Sequence, residues 1–309
     1  MMNYEEFKET VVSEIAGFIG GRLSDAEVSV KQVAKNNVMH DGLVFSGTDA
    51  LAMPMLYIDE IYKGHANDAD AYPGMAEIRD LVEKNLDKVD PDVLSKIEDW
   101  DYARDRVFMR LVSSTNSEYV KDKVSRNVAD LTILYSVQVE GLSMEEAPDV
   151  VSSVAVTDKL LDAYGVTEDA LHKAALRNTN RDARIMSMTE MLGGMGCEVP
   201  EGNIPMYVIT NVTRVNGASS LMSPDAMDEV AERLGTKNIY ILPSSVHEAI
   251  AVPAEGSDVL ELLAMVKEVN GAMVNDVDRL SDNVYTYDFE ANELREADMY
   301  EEDGYTVAV

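Results

Sequence analysis

The stretch NIYILPSSVHEAIAV (238–252) and its continuation PAEGSDVLELLAMVKEVNGAMVNDVDRLSDNVYTYD (253–288) organise the predicted fold. The apolar run at 239–242 and the β-branched run at 246–252 are typical of two strands. The residues Pro, Ser and Ser at 243–245 favour a tight turn between them. We therefore predict the order strand, turn, strand, helix, loop and strand.

The helix that follows this hairpin is predicted to begin at Ser257 or Asp258, either of which can cap it. Its apolar residues recur at steps of three and four, which places them on one face: Val259, Leu262, Leu263, Val266 and Val269. The pair Asn270-Gly271 is predicted to end the helix, because glycine commonly follows the last helical turn.

The composition is that of an acidic globular chain of 309 residues, with 46% hydrophobic residues and a formal net charge of −31. Nucleic acids and anionic membrane surfaces both attract Lys and Arg, so this charge argues against either as a direct partner. It is compatible with a protein partner that has a basic face, although net charge also serves solubility.

Two features of the sequence predict a cytoplasmic protein. The chain has one cysteine, Cys197, so it cannot form an intramolecular disulfide, as expected in a reducing compartment. The N-terminal sequence MMNYEEFKETVVSEI is acidic and amphipathic and lacks the basic and apolar regions of a secretory signal.

Short strand patterns and amphipathic helices follow one another along the chain, which predicts an α+β fold. We expect antiparallel sheets with helices packed on one face and two lobes, 1–115 and 116–289, followed by an acidic tail at 290–309 that is mobile or weakly docked. The strand predicted at 206–212 is expected to pair with 217–221.

A weak internal repeat lies in the second lobe. Thr157-Asp158 begins a predicted helix that ends at Gly165, and Pro224-Asp225 begins another that ends at Gly235. Each is preceded by a pair of serines in a predicted strand. This pattern indicates either a duplicated strand–helix unit or only the common way to end a helix.

Several segments resemble a known protein family: MNYEEFK (2–8), VFMRLVSSTN (107–116), ADLTILYSV (129–137), GVTEDALHKAALRNT (165–179), LPSSVHEAIAVP (242–253), MVKEVN (265–270) and LSDNVYTYD (280–288). They are similar to the uncharacterised bacterial domain-of-unknown-function family 5688, and the order of elements is more distantly similar to family 1444. The resemblance implies no established activity, but it implies an origin in gut Firmicutes, often near mobile elements. Where the family usually has a histidine-containing segment, at 121–127, this chain has Arg126.

His247 and Glu248 are the first candidate catalytic pair. A zinc-binding helix would need a second histidine four residues after the first, where this chain has alanine, and adjacent residues of a strand face opposite sides. Ser245 could act with His247 and with Asp258 or Asp282 as the acid, but the sequence has no G-x-S-x-G elbow. A structural role in the hairpin is the alternative that we favour.

His40 and Asp41, together with Asp59-Glu60 and His65, are the candidate metal ligands, because histidine and carboxylates are common ligand types. These residues lie in polar loops or at predicted strand ends and lack the tight spacing of an established metal motif. We therefore predict no cofactor.

Three other features could carry chemistry but lack the residues that it requires. Cys197 has no histidine near it in sequence, and the glycine-rich run at 193–196 lacks the Gly-Lys-Ser/Thr of a phosphate-binding loop. The acids Glu98, Asp99 and Asp101 are adjacent, but with 57 acidic residues in the chain such clusters arise by chance.

We expect a non-enzymatic accessory or interaction protein whose partner is another protein with a basic face. Two alternatives remain open. The first is an anti-defence protein that mimics nucleic acid, which predicts two rows of carboxylates at phosphate spacing. The second is a hydrolase that uses His247 or a metal at His40 and His65, which predicts a pocket where these side chains converge with an acid.

Overall fold

The computed structural model describes residues 2–19, 27–46, 56–65, 74–86, 96–139, 153–194 and 205–298. The helices in these ranges are α1 (Tyr4–Ile19), α2 (Ile58–Gly64), α3 (Met75–Leu86), α4 (Trp100–Ala103), α5 (Ser117–Val120), α6 (Asp158–Tyr164), α7 (Glu168–Asp182), α8 (Met188–Gly194), α9 (Pro224–Leu234) and α10 (Val259–Met273). Two short 3-10 helices span Gly217–Met222 and Asp276–Asp278. Within the same ranges, no helix has the length and apolar character needed to cross a membrane.

The strands are β1 (Glu27–Lys35), β2 (Val38–Ser46), β3 (Leu56–Tyr57), β4 (Val107–Ser113), β5 (Ser125–Val128), β6 (Leu131–Gln138), β7 (Ser153–Ala155), β8 (Ala183–Ser187), β9 (Tyr207–Asn211), β10 (Ile239–Pro243), β11 (Ala249–Pro253), β12 (Tyr285–Asp288) and β13 (Glu293–Glu296). In the described part of the chain they form three sheets, ordered β1-β2-β3, β4-β6-β5 with β7 beside β6, and β13-β12-β10-β11-β9-β8. All strand pairs are antiparallel. The α+β class is confirmed.

The three-stranded sheet has its own hydrophobic core, formed with α1, α2 and α3. The buried residues of this N-terminal core are Phe7, Val11, Ile15, Ile19, Val28, Leu43, Phe45, Leu56, Ile58, Met75, Ile78 and Val82. The spacing of the α1 residues places one stripe of the helix against the sheet, as an amphipathic helix requires.

The other two sheets share a second hydrophobic core, which we call the main core. Its buried residues come from the part of the sequence between Ala103 and Leu294. The central strand β10 is buried throughout, so its alternate residues contact different layers. Ile239 and Ile241 face the main core, and Tyr240 and Leu242 pack with α10 on the opposite side of the sheet. Since α9 also packs in the main core, the six-stranded sheet carries helices on both faces.

The two-lobe division stays a prediction, but the structure gives its local context. Strand β4, which ends at Ser113, pairs along its length with β6. The proposed boundary near residue 115 therefore falls inside the four-stranded sheet. The buried residues of the N-terminal core end at Val82, and those of the main core begin at Ala103.

Helix ends are where the sequence was most informative. Thr157, Ser223 and Asp258 each accept a hydrogen bond from a backbone N–H of the first turn that they cap. Gly165 and Gly235 end α6 and α9 in the left-handed conformation. The elements before these two helices differ, however: a strand precedes α6 and a 3-10 helix precedes α9.

Three local predictions were wrong. The segment 217–221 forms a 3-10 helix and not a strand, and the strand predicted from 246 begins at Ala249. Helix α10 continues past Asn270-Gly271 to Met273. Asn270 is buried and donates through its side chain to the Ser281 carbonyl at 2.9 Å, so a tertiary contact overrides the local stop signal.

The beginning of the acidic tail, which was predicted to be mobile or weakly docked, forms a strand instead. Strand β13 pairs with β12 over four residue pairs, and Leu294 and Ala297 are buried. Residues up to 298 therefore belong to the edge of the six-stranded sheet, and residues 299–309 lie outside the described part.

The turn between β1 and β2 joins the N-terminal core to the rest of the chain. Asn36 donates through Nδ2 to the carbonyls of Val277 (2.9 Å) and Arg279 (2.8 Å). Asn37, whose φ is 58°, donates through Nδ2 to the carbonyls of Asp276 (3.0 Å) and Arg279 (2.8 Å). We call these contacts the hairpin joint.

Asn116 completes the hairpin joint from the side of the four-stranded sheet. Its Nδ2 donates to Oδ1 of Asn36 at 2.9 Å and to Oδ1 of Asn37 at 3.1 Å, and its Oδ1 accepts from the Asn37 N–H. Asn36 and Asn116 are 5% and 9% exposed, so water cannot readily replace the hydrogen bond between them.

We predict that Asn116→Ala lowers the free energy of unfolding by about 2 kcal/mol, because it leaves the buried Oδ1 of Asn36 without its hydrogen-bond donor. Urea unfolding followed by Trp100 fluorescence measures the change. Asn238→Ala is the matched control, since Asn238 is exposed, and it should change stability by less than about 0.5 kcal/mol. Equal effects of the two substitutions would contradict a stabilising role for the joint.

Candidate functional site

His247 lies in the bend between β10 and β11, not in a strand. Its Nδ1 accepts from the Asn216 N–H at 3.1 Å, and its Nε2 lies 3.2 Å from Oδ1 of Asp278. Because Nδ1 accepts an amide hydrogen, the proton of the neutral ring is on Nε2 and is donated to Asp278. Both ring nitrogens are therefore engaged in holding the bend.

The other predicted members of a catalytic site at His247 do not meet its ring. Ser245 Oγ accepts from the backbone N–H of His247 at 3.0 Å, and the Ser245 N–H donates to the carbonyl of Glu248 at 3.1 Å. Asp258 caps α10, and Asp282 accepts from Asn270 at 2.7 Å. The acid beside His247 is Asp278, which the sequence analysis did not name.

The bend is packed tightly against the 3-10 helix Gly217–Met222. A Cβ atom on Gly217 would lie 2.3 Å from Thr210 Oγ1, 2.5 Å from the His247 carbonyl oxygen and 2.8 Å from the Asn211 nitrogen. Thr210 Oγ1 itself donates to the His247 carbonyl at 2.9 Å. Glycine at 217 therefore permits the close approach that fixes the bend.

His40 is buried in the N-terminal core beside Asp59. Its Nδ1 lies 3.2 Å from Oδ2 of Asp59, its Nε2 lies 3.6 Å from Oε1 of Glu60, and its ring centroid is 4.7 Å from that of Tyr57. Asp59 also accepts from Lys63 Nζ at 3.1 Å. Burial would raise the pKa of Asp59, but the hydrogen bonds from Lys63 and His40 outweigh it and hold that pKa below its usual value.

The remaining candidate ligands point to other partners. Asp41 accepts from Tyr4 Oη at 2.8 Å, and His65 Nε2 lies 2.7 Å from Oε2 of Glu77. The side chains of His40, Asp41 and His65 thus have different partners, and the Asp41 N–H donates to the Oδ1 of Asp59, which also lies beside His40. Among the residues that the structure describes, no group of three or more His, Cys, Asp or Glu side chains could hold a metal ion. Cys197 lies outside the described residues.

The fourth histidine, His172, is also packed singly. Its Nδ1 lies 2.8 Å from Tyr135 Oη, and burial lowers the pKa of the imidazole, with the nearby charge of Arg126 acting in the same direction. Arg126 forms an ion pair with Asp169 at 2.5 Å. Each histidine therefore contacts a different set of residues.

A surface on α10 is the feature that the sequence analysis missed. Met265, Val269 and Met273 are 45%, 39% and 82% exposed, and their spacing of four residues aligns them along one edge of the helix. Glu261 and Glu268 are exposed one turn from Met265: Glu261 continues the row at its N-terminal end, and Glu268 lies beside it. We call it the methionine stripe. Its spacing was visible, but the predicted stop at 270–271 removed Met273 and placed Val269 inside.

The fold and these contacts define an α+β protein in which each of the four histidine rings lies within hydrogen-bond distance of another side chain. A family model described as a family of unknown function, DUF5688, matches residues 4–289. The chain belongs to this family. No curated protein and no solved structure matches the chain.

We predict that Gly217→Ala lowers the free energy of unfolding by about 3 kcal/mol, because the added Cβ overlaps backbone atoms of the His247 bend. Gly271→Ala is the matched control: a Cβ there meets nothing within 4 Å, and alanine in a helix should raise stability by about 0.5 kcal/mol. Thermal and urea unfolding measure both. A harmless Gly217→Ala would show that the bend is not tightly held.

Proposed function

We propose that this chain is a non-enzymatic accessory protein that binds a basic, amphipathic helix of a protein partner through the methionine stripe of α10. The observation that carries the proposal is the exposed apolar edge Met265, Val269 and Met273 beside the acids Glu261 and Glu268. A large exposed apolar surface with a polar border is a common mark of an interaction site.

The chemistry of the stripe favours a helical partner. Methionine side chains are flexible and apolar, so they adapt to the apolar face of a second helix lying along α10. The flanking carboxylates favour Lys and Arg at the border of that face. The net charge of −31 would increase the rate of encounter with such a basic segment.

The location and origin of the protein belong to the same proposal. The single cysteine supports a cytoplasmic location. The family resemblance supports an accessory role associated with mobile elements of gut bacteria. Neither of these depends on the stripe.

The two alternative functions gain no specific support from the described contacts. The hydrolase would need His247 or His40 free to act on a substrate, and both have their ring nitrogens close to other groups. The nucleic-acid mimic would need carboxylates in two rows. The exposed acids instead lie on elements of both cores, including Glu5 and Glu9, Glu77 and Asp80, Asp228 and Glu232, and Glu290 and Glu293.

The test measures binding of a synthetic helical peptide of Leu and Lys, with the lysines on one face, by fluorescence anisotropy. We predict that Met265→Ser combined with Met273→Ser weakens binding by about 10-fold, because apolar area buried against the peptide is lost. Glu261→Gln with Glu268→Gln should weaken binding at low salt and have little effect at high salt, where exposed charges are screened.

Leu260→Ser is the matched control, because Leu260 is 56% exposed on the opposite side of the same helix. It should change the affinity by less than about twofold. Unchanged peptide binding by the double methionine variant would overturn the proposal. A concentration-dependent dimer that this variant abolishes would assign the stripe to a second copy of the chain instead.

A further inference from the structure

The two methionines of the methionine stripe are open to solvent, unlike most methionines of the molecule. Met273 is 82% exposed and Met265 is 45% exposed. Met109 and Met227 are fully buried in the main core. Among the other described methionines only Met39, in β2, is similarly exposed, at 50%. An oxidant must reach the sulfur atom to react with it, so these three methionines are the accessible ones.

Oxidation changes the chemical character of a methionine side chain. The thioether sulfur attacks one oxygen of hydrogen peroxide, and the S–O bond forms as the O–O bond breaks. The hydroxide that leaves takes the proton of the transferred oxygen, which gives water. The sulfur has then been oxidised by two electrons and the peroxide reduced. The product, methionine sulfoxide, has a polar oxygen where the thioether was apolar.

The methionine stripe is sensitive to this change, because Met265 and Met273 are two of its three apolar residues. A partner helix that lies along the stripe would bury each sulfoxide oxygen against its apolar face, which has no hydrogen-bond donor. Burying a polar group without a partner costs free energy. The ionised carboxylates of Glu261 and Glu268 only accept hydrogen bonds, so they cannot satisfy the sulfoxide oxygen either.

The packing of α10 does not depend on these two sulfur atoms. The buried residues of the helix are Val259, Val266 and Asn270, and none of them is a methionine. Asn270 holds the helix through its hydrogen bonds to Ser281 and Asp282. Oxidation of the exposed edge therefore changes the binding surface and leaves the attachment of the helix to the sheet intact.

We propose that Met265 and Met273 form an oxidation-sensitive site that regulates the methionine stripe. A peroxide converts both residues to sulfoxides, and the basic helix of the partner is then released. A thiol-dependent methionine sulfoxide reductase restores binding, since two thiols become a disulfide and the sulfoxide oxygen leaves as water. This inference rests on the proposed function of the stripe and adds its regulation.

The test treats the purified full chain with hydrogen peroxide. Peptide mass spectrometry follows each methionine, and fluorescence anisotropy measures binding of the Leu and Lys peptide, which contains no sulfur. We expect Met39, Met265 and Met273 each to gain one oxygen while the buried methionines of the main core remain unmodified. The dissociation constant should rise by about 10-fold, because the sulfoxides lose their fit to the apolar face. The urea midpoint should not change.

Reduction and two variants assign the effect to the stripe. Reductases for both sulfoxide epimers should restore the affinity. In Met265→Leu combined with Met273→Leu, the side chains stay apolar and similar in volume but have no sulfur. Peroxide should change the affinity of this variant by less than about twofold, relative to its own value before treatment. Met39→Leu is the matched control, and peroxide should still weaken its binding by about 10-fold.

Three results would count against the inference. Unchanged peptide binding by a chain whose Met265 and Met273 are fully oxidised would overturn the regulation and leave the proposed function standing. An equal loss of binding in the double leucine variant, which keeps Cys197, would place the sensitive residue elsewhere and overturn the site. A chain that does not bind the peptide before oxidation would overturn the proposed function, and its regulation with it.

Discussion

The hydrogen-bonded joint at the β1–β2 turn is the constraint on which the arrangement of the molecule depends. Asn36 and Asn37 use their side-chain amides to bind the carbonyls of the segment 276–279, and Asn116 binds both of them from the four-stranded sheet. An asparagine amide can donate and accept hydrogen bonds at the same time. The three asparagines therefore bond to one another and also to the backbone carbonyls of the segment 276–279.

The same segment also explains the position of His247. Asp278 accepts the proton of His247 Nε2 through its side chain, and its carbonyl accepts from the Val246 N–H at 2.8 Å. The segment 276–279 is thus held by the hairpin on one side and by the His247 bend on the other. The histidine that looked most catalytic in sequence thus has both of its ring nitrogens in contact with other groups.

Features that depend only on residues close together in the sequence, such as helix caps, were predicted correctly. Thr157, Ser223 and Asp258 cap helices because a short side-chain oxygen satisfies first-turn amides whatever lies elsewhere in the chain. Signals that depend on distant partners failed. Asn270-Gly271 does not stop α10 because the Asn270 amide is satisfied by Ser281 and Asp282, and Gly217 serves a close approach to His247 and not a strand.

The candidate sites were harder to predict for the same reason. His247 and Asp278 are 31 residues apart in sequence, and only the packing of the segment 276–279 against the His247 bend brings them together. The resemblance to the family of unknown function was visible in the sequence and is confirmed over residues 4–289, but it brings no activity with it.

The most direct test of this account compares the unfolding of the two sides of the hairpin joint in urea. Fluorescence of Trp100, which packs against the main core, reports on one side, and hydrogen exchange of the β1 and β2 amides reports on the other. If the joint couples the cores, both probes should lose their native signal at the same urea concentration. Loss of β1–β2 protection at a clearly lower concentration, while Trp100 remains native, would contradict the account.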